Sequence, residues 1–237
     1  MRYFKIICLL FIGLNAAAQK QFVVDPDAVI RENTESFSTV KVSSGIQVYF
    51  SKGEIEGLAI SAPDEKYRDA IKTEVSNGIL HIFFAGERMR KSAISKLTVY
   101  IAYKNLEQLQ VSGASNIIIA GVMELPLLNV QLSGASQLIG QIKIDELNLK
   151  LSGASEVKLS GIVKNINIES SGASDVKSYA LIAENCNVKA SGASDVNMTV
   201  TKELAANASG ASNIFYRGTA ELKIKQSTGA SSVTRVQ

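Results

Sequence analysis

The sequence predicts an all-β fold, a parallel β-helix whose coils are about 19 residues long. Three observations point there. The first is a four-residue motif, Ser-Gly-Ala-Ser, that recurs at Ser112–Ser115, Ser133–Ser136, Ser152–Ser155, Ser171–Ser174, Ser191–Ser194 and Ser209–Ser212, with an altered seventh copy at Thr228–Ser231. Its glycines are separated by 21, 19, 19, 20, 18 and 19 residues, a period that marks a stacked repeat. The second is the period-two alternation around each copy, as in Leu147-Asn148-Leu149-Lys150-Leu151, which places leucines on one face and polar residues on the other. The third is that no repeat holds a ten-residue stretch with helical spacing. A coil this short has room for two or three strands and tight corners. It is too short for a leucine-rich repeat or a propeller blade of about 40 residues.

Read from the amino end, residues 1–18 have the form of a cleaved export signal. Arg2 and Lys5 give a basic start, Ile6–Leu14 an apolar core, and Ala16-Ala17-Ala18 the small residues that a signal peptidase requires. That apolar run is well short of the roughly 20 residues of a spanning helix, and Cys8 lies inside it instead of at its end, so no lipid anchor is expected. The mature chain, 19–237, is expected to be one domain with no transmembrane segment. Its net charge falls from +3 to +1 once Arg2 and Lys5 are removed (23 basic against 22 acidic residues), which gives no drive toward nucleic acid.

Residues 19–108 are β-rich but irregular and are expected to form the first coils and a cap. Phe37–Val42 and Ile46–Phe50 flank Ser43-Ser44-Gly45, a degenerate first copy of the motif. Pro63–Ala70 suits a loop or a single helical turn. Asn77-Gly78 between Ile71–Val75 and Ile79–Phe84 is a two-residue hairpin signal. Lys96–Tyr103 alternates as a strand. Residues 109–237 then carry the regular coils. Ile117, Leu138, Val157, Val176, Val196, Ile214 and Val233 hold one place in all seven and predict a continuous inward column. Stacked at about 4.8 Å, seven coils span about 30 Å. The motif glycine suits a tight corner, and its serines suit hydrogen bonding along the ladder. Cys186, the lone cysteine of the mature chain, alternates inward with Val188 and is expected to act as a small buried apolar group.

Chemistry is sparse. His81 lies on the polar face of its strand with no cysteine or histidine cluster, so neither a zinc site nor a triad is expected. The motif serines have no base beside them. One constellation stands out: the residue after each motif is Asn116, Gln137, Glu156, Asp175, Asp195, Asn213 and Ser232 in turn. In register, Glu156, Asp175 and Asp195 form an acidic column on consecutive coils, a candidate ligand-binding row for a hard cation such as Ca²⁺. The alternative is a solvated row neutralised by Lys158 and Lys177. No cofactor is expected.

Several segments together resemble a bacterial family, the putative auto-transporter adhesin head GIN domain. Phe37-Ser38-Thr39-Val40-Lys41-Val42 with Gly45-Ile46-Gln47-Val48 is similar to its opening, Tyr100–Leu106 running into Val111-Ser112-Gly113-Ala114 to its central junction, and Phe215-Tyr216-Arg217-Gly218 to its close. The resemblance covers about residues 36–237, departing at Thr219-Ala220 where a proline often stands. It implies a right-handed, single-stranded β-helix-like fold and an exported protein of the periplasm or cell surface, and it implies no catalytic residues.

The expected function is therefore a non-enzymatic cell-envelope protein, an adhesin or a binding or structural module, with envelope or extracellular glycans or proteins as partners. A polysaccharide-active or carbohydrate-binding β-helix is the alternative. The absence of Trp, and the presence of only Tyr179, Phe215 and Tyr216 as repeat aromatics, weigh against a sugar cleft in the repeats. With only six residues after the last motif, self-association through the terminal coils is a third expectation.

Overall fold

The computed structural model describes residues 25–32, 35–87 and 97–237. The export signal of residues 1–18 lies outside these, as does Lys96. Five long strands carry the repeats: β9 (Asn116–Leu132), β10 (Gln137–Leu151), β11 (Glu156–Ser170), β12 (Asp175–Ala190) and β13 (Asp195–Ala208). Each runs almost a full coil and pairs in parallel with the next, so that Gln137 lies over Asn116, Glu156 over Gln137 and Asp175 over Glu156. The protein is a β-solenoid of about seven turns.

Breaks in the alternation shape the coil. In β11, Val157 and Leu159 point inward, Ser160, Gly161 and Ile162 turn out, Val163 returns inward, Lys164 and Asn165 both face out, and Ile166 and Ile168 are buried. Two consecutive outward residues cannot occur along a flat strand. Each such slip is therefore a bend, and the coil has three walls closed by the Ser-Gly-Ala-Ser corner. Inside, the column from Ile117 to Val233 is at most 5% exposed, and it continues amino-terminally through Val48 and Val99. Cys186 lies between Ile166 and Leu204 on the third wall, and burial pushes its thiol up to about 12.

The corner explains its own sequence. Gly153 has φ +74°, and a Cβ there would stand 2.6 Å from the carbonyl oxygen of Gly134 on the coil before. That oxygen accepts the amide of Ala154 at 2.7 Å, and the same bond repeats at every regular corner. The last serine of each of the six Ser-Gly-Ala-Ser copies is buried. Ser155 Oγ donates to the carbonyl of Ser152 at 2.8 Å, closing the turn from within. The last serines of the motifs are thus structural.

The amino-terminal half contributes β1 (Val29–Arg31), β2 (Thr39–Val42), β3 (Gln47–Lys52), β4 (Gly57–Ser61), α1 (Glu65–Ala70), β5 (Ile71–Ser76), β6 (Ile79–Phe84), β7 (Thr98–Tyr103) and β8 (Gln108–Val111). Asn77 and Gly78 both have positive φ in a two-residue turn joining β5 to β6. Ser43-Ser44-Gly45 stacks beneath the first full motif, with the Gly45 amide donating to Ser115 Oγ at 3.2 Å. Stack order departs from chain order. On the first wall the strands run β1-β4-β7-β3-β9, and on the third β5-β6-β2-β8-β9. The coil formed by β2 and β3 is therefore inserted between two later segments, β6 with β7 and β8 with β9. Short strands β1, β4 and β5 run antiparallel to their neighbours and close this end. Among the described residues no strand continues the second wall here; Phe50 and Tyr103, ring centroids 6.2 Å apart, are buried near the carboxyl ends of the first-wall strands β3 and β7.

At the other end are β14 (Asn213–Arg217), β15 (Glu221–Ser227) and β16 (Ser232–Arg235). Here the inward register positions change character: Lys225 follows Ala206, and Arg235 follows Tyr216. Charges at such positions blunt an open sheet edge.

Candidate functional site

The outward residues form straight rows, one residue per coil. On the first wall the row after each motif contains the predicted acidic column, and Glu156, Asp175 and Asp195 do lie in register on consecutive coils. Their oxygens face partners. Glu156 accepts from Lys158 Nζ at 2.7 Å, from Lys177 Nζ at 2.7 Å and from the Gln137 amide. Lys177 also lies 3.0 Å from Asp175, and Asn213 donates to Asp195 at 3.0 Å. Among the described residues, no three His, Cys, Asp or Glu side chains are grouped to hold a metal ion. A cation at Glu156 would have to displace two ammonium groups.

The hydrogen bonds from Lys158 and then Lys177 hold the Glu156 carboxyl down to about 2, against 4.5 ordinarily. A carboxylate whose pKa is depressed by folding contributes stability above its unfolded pKa and loses it as pH falls through its folded one. The contribution should therefore be present above about pH 4.5 and fade toward pH 2. With these side chains 22–48% exposed, the whole effect is below about 1 kcal/mol. Urea midpoints measured from pH 6 to pH 2.5 should fall further in the wild type than in a Lys158→Met, Lys177→Met double variant. Parallel curves would show the pairs contribute nothing.

The third wall is built differently. Asn129, Asn148, Asn167 and Asn187 share one row, and the Asn148 amide donates to Asn129 at 3.0 Å and that of Asn167 to Asn148 at 2.8 Å. The neighbouring row runs His81, Lys41, Gln110, Gln131, Lys150 across β6, β2, β8, β9 and β10. Together with Phe83 and the first serines of successive corners (Ser43, Ser112, Ser133 and Ser152), this row lines a groove of about 420 Å³. The serine hydroxyls of 112, 133 and 152 reach the carbonyls of Val42, Val111 and Leu132 only at 3.4 Å, so they remain open to other partners. Lys150 has a distant ion pair, 3.8 Å to Glu169. Lys41 has no carboxylate partner among the described residues.

The sequence profile of the family described as "Putative auto-transporter adhesin, head GIN domain" matches residues 36–220. The chain belongs to this family. Solved structures share the GIN-domain fold. A putative adhesin from Bacteroides fragilis NCTC 9343 superposes with a TM-score of 0.79 at 17% identity, covering 88% of this chain and 97% of that one. A protein named as a putative lipid binding protein, from Parabacteroides distasonis ATCC 8503, gives 0.66 at 19% identity over 89% and 97%. A putative adhesin from Parabacteroides merdae ATCC 43184 gives 0.65 at 17% over 89% and 97%. No curated protein matches the chain in sequence. Likeness at these identities shows the fold alone.

Within this GIN domain the groove was hidden from sequence reading, because its lining comes from residues 41–152 in an order that only the inserted coil brings together. The usable signal was His81 and Lys41, each at a polar position of an alternating strand. A second outward feature, the stacked Tyr49 and Tyr100 rings 5.3 Å apart on the first wall, likewise depends on β3 pairing with β7.

Proposed function

We propose that this chain is an exported, non-enzymatic binding module of the bacterial cell envelope that presents a rigid, rung-patterned surface to a partner outside the cytoplasm. The observation that carries the reading is the third wall: a row of laterally bonded asparagines beside a groove whose hydroxyls, amides and one lysine are left open to a ligand. Membership of a family described as adhesins supports a binding role, and the residue pattern of 1–18 supports export. Among the described residues no helix is long and apolar enough to cross a membrane. Carbohydrate binding, without hydrolysis or cleavage, is the form of the alternative that the groove favours.

The test is protease treatment of intact producing cells, with a periplasmic protein as control. The expected result is that the mature chain, lacking residues 1–18, is found outside the cytoplasm, either degraded by external protease (surface) or released with the periplasm. Recovery with the cytoplasmic fraction, signal intact, would overturn the reading.

A further inference from the structure

We infer that the third-wall groove binds an extended acidic polysaccharide, a chain of sugar rings that carries carboxylates at intervals. The inference rests on the binding-module reading above and names the ligand class for that site.

Geometry comes first. From His81 to Lys150 the row crosses five strands, four steps of about 4.8 Å, so the groove is about 19 Å long and runs along the solenoid axis. A sugar ring in an extended glycan advances by little more than one rung. A chain laid along the groove would therefore meet a similar set of groups at each step. The body is rigid, since every rung is held by backbone pairing on both sides, which limits the ordering cost of binding.

The chemistry is that of a hydroxyl-rich ligand. Gln110 and Gln131 each carry both a donor and an acceptor group, and neither side chain has a hydrogen-bond partner among the described residues. The corner serines add hydroxyls with weak existing bonds. Half-buried Phe83 supplies an apolar face of the kind that packs against the C–H side of a sugar ring. Sites of this type combine an apolar element with a few placed polar groups.

Charge selects the class. Lys41 is half-buried at the second rung with no carboxylate among the described residues to neutralise it, whereas Lys158 and Lys177 on the first wall are both engaged by Glu156. Lys150 at the far end is only loosely paired. Two ammonium groups three rungs apart, about 14 Å, match a polymer with sparse carboxylates. They do not match a nucleic acid, whose duplex carries about one charge every 1.7 Å and needs a dense basic surface. Glu74, the register partner of His81 on β5, and Glu169, the register partner of Lys150 on β11, are exposed carboxylates at the two ends of the row, which confines the anionic groups to the stretch between Lys41 and Lys150.

The experiment uses the mature full-length chain and calorimetric titration with oligomers of polygalacturonate and of hyaluronate, and in parallel with neutral dextran, single-stranded DNA and phosphatidylglycerol vesicles. The expected result is binding to at least one acidic oligosaccharide and none to dextran. Lys41→Met should weaken it at least 10-fold and Gln131→Ala at least 3-fold, while Lys202→Met, on another part of the surface where it pairs with Glu184, leaves it unchanged. Urea midpoints equal to wild type would show that each variant is folded. Binding to neither acidic oligomer, binding only to DNA or vesicles, or acidic binding indifferent to Lys41→Met would overturn the inference. None of these touches the broader reading, which falls only on the cell-fractionation result.

Discussion

Replacing Gly153 by alanine should cost about 3 kcal/mol or more of stability, while the same change at Gly78 should cost about 1–2 kcal/mol. The two glycines have the same φ, +74°, so the backbone penalty of placing a Cβ in the left-handed region is shared. They differ in what the new methyl meets. Nothing lies within 4 Å at Gly78, in the exposed hairpin. At Gly153 the methyl would sit 2.6 Å from the carbonyl oxygen of Gly134 and 3.0 Å from its amide nitrogen. These are backbone atoms that cannot rotate aside, and the oxygen is held by the Ala154 amide at 2.7 Å. Relief requires two coils to part at the corner, loosening the serine bonds on either side. Urea unfolding of the two variants isolates the stacking contribution. Equal losses would mean that the glycine is required only for its turn.

Phe50→Ala is expected to be as damaging, at about 3–5 kcal/mol. The side chain is fully buried and tilts against Tyr103 where the second wall is missing. Elsewhere in the solenoid a truncated side chain is flanked by inward residues from three walls, which can relax toward the gap. At Phe50 the truncation leaves the Tyr103 ring facing a gap with no second-wall strand among the described residues to close in, so the cavity stays open. Phe50→Leu, which keeps most of the volume, should recover more than half of the loss. A loss below about 1 kcal/mol for Phe50→Ala would show that the amino-terminal half is not packed as a continuation of the core.

The repeats were legible because each level of their sequence agrees with the others. The glycine period gives the coil length, the alternation gives the walls, and the column from Ile117 to Val233 pairs residue for residue as its positions predict. The Asn77-Gly78 turn was equally readable, since its chemistry is local. What the sequence does not disclose is anything that depends on non-local order. Thr39 pairs with Ile79 on one side and Gln108 on the other, and no periodicity links those segments. The acidic row illustrates a different limit. The register of Glu156, Asp175 and Asp195 follows from the motif, but whether lysines reach them depends on side-chain direction: Lys158 lies two residues beyond Glu156 on its own coil and Lys177 on the next. The groove depends on the same non-local order, and its one hint in the sequence is His81 and Lys41, each at a polar position of an alternating strand.

The inserted coil also sets an order of events. Strands β2 and β3 are made early in the chain, yet neither can complete its pairing until β6, β7, β8 and the start of β9 have followed, so the segment from residue 39 to about 119 must close as one cooperative knot of non-local contacts. After that closure each further coil has a finished template and needs only its own 19 or so residues to add on. A chain threaded through a membrane amino end first would thus emerge with its earliest strands waiting. It would then wind up steadily, one turn at a time, and under tension it would unwind from the carboxyl end in the same steps while the amino-terminal knot held.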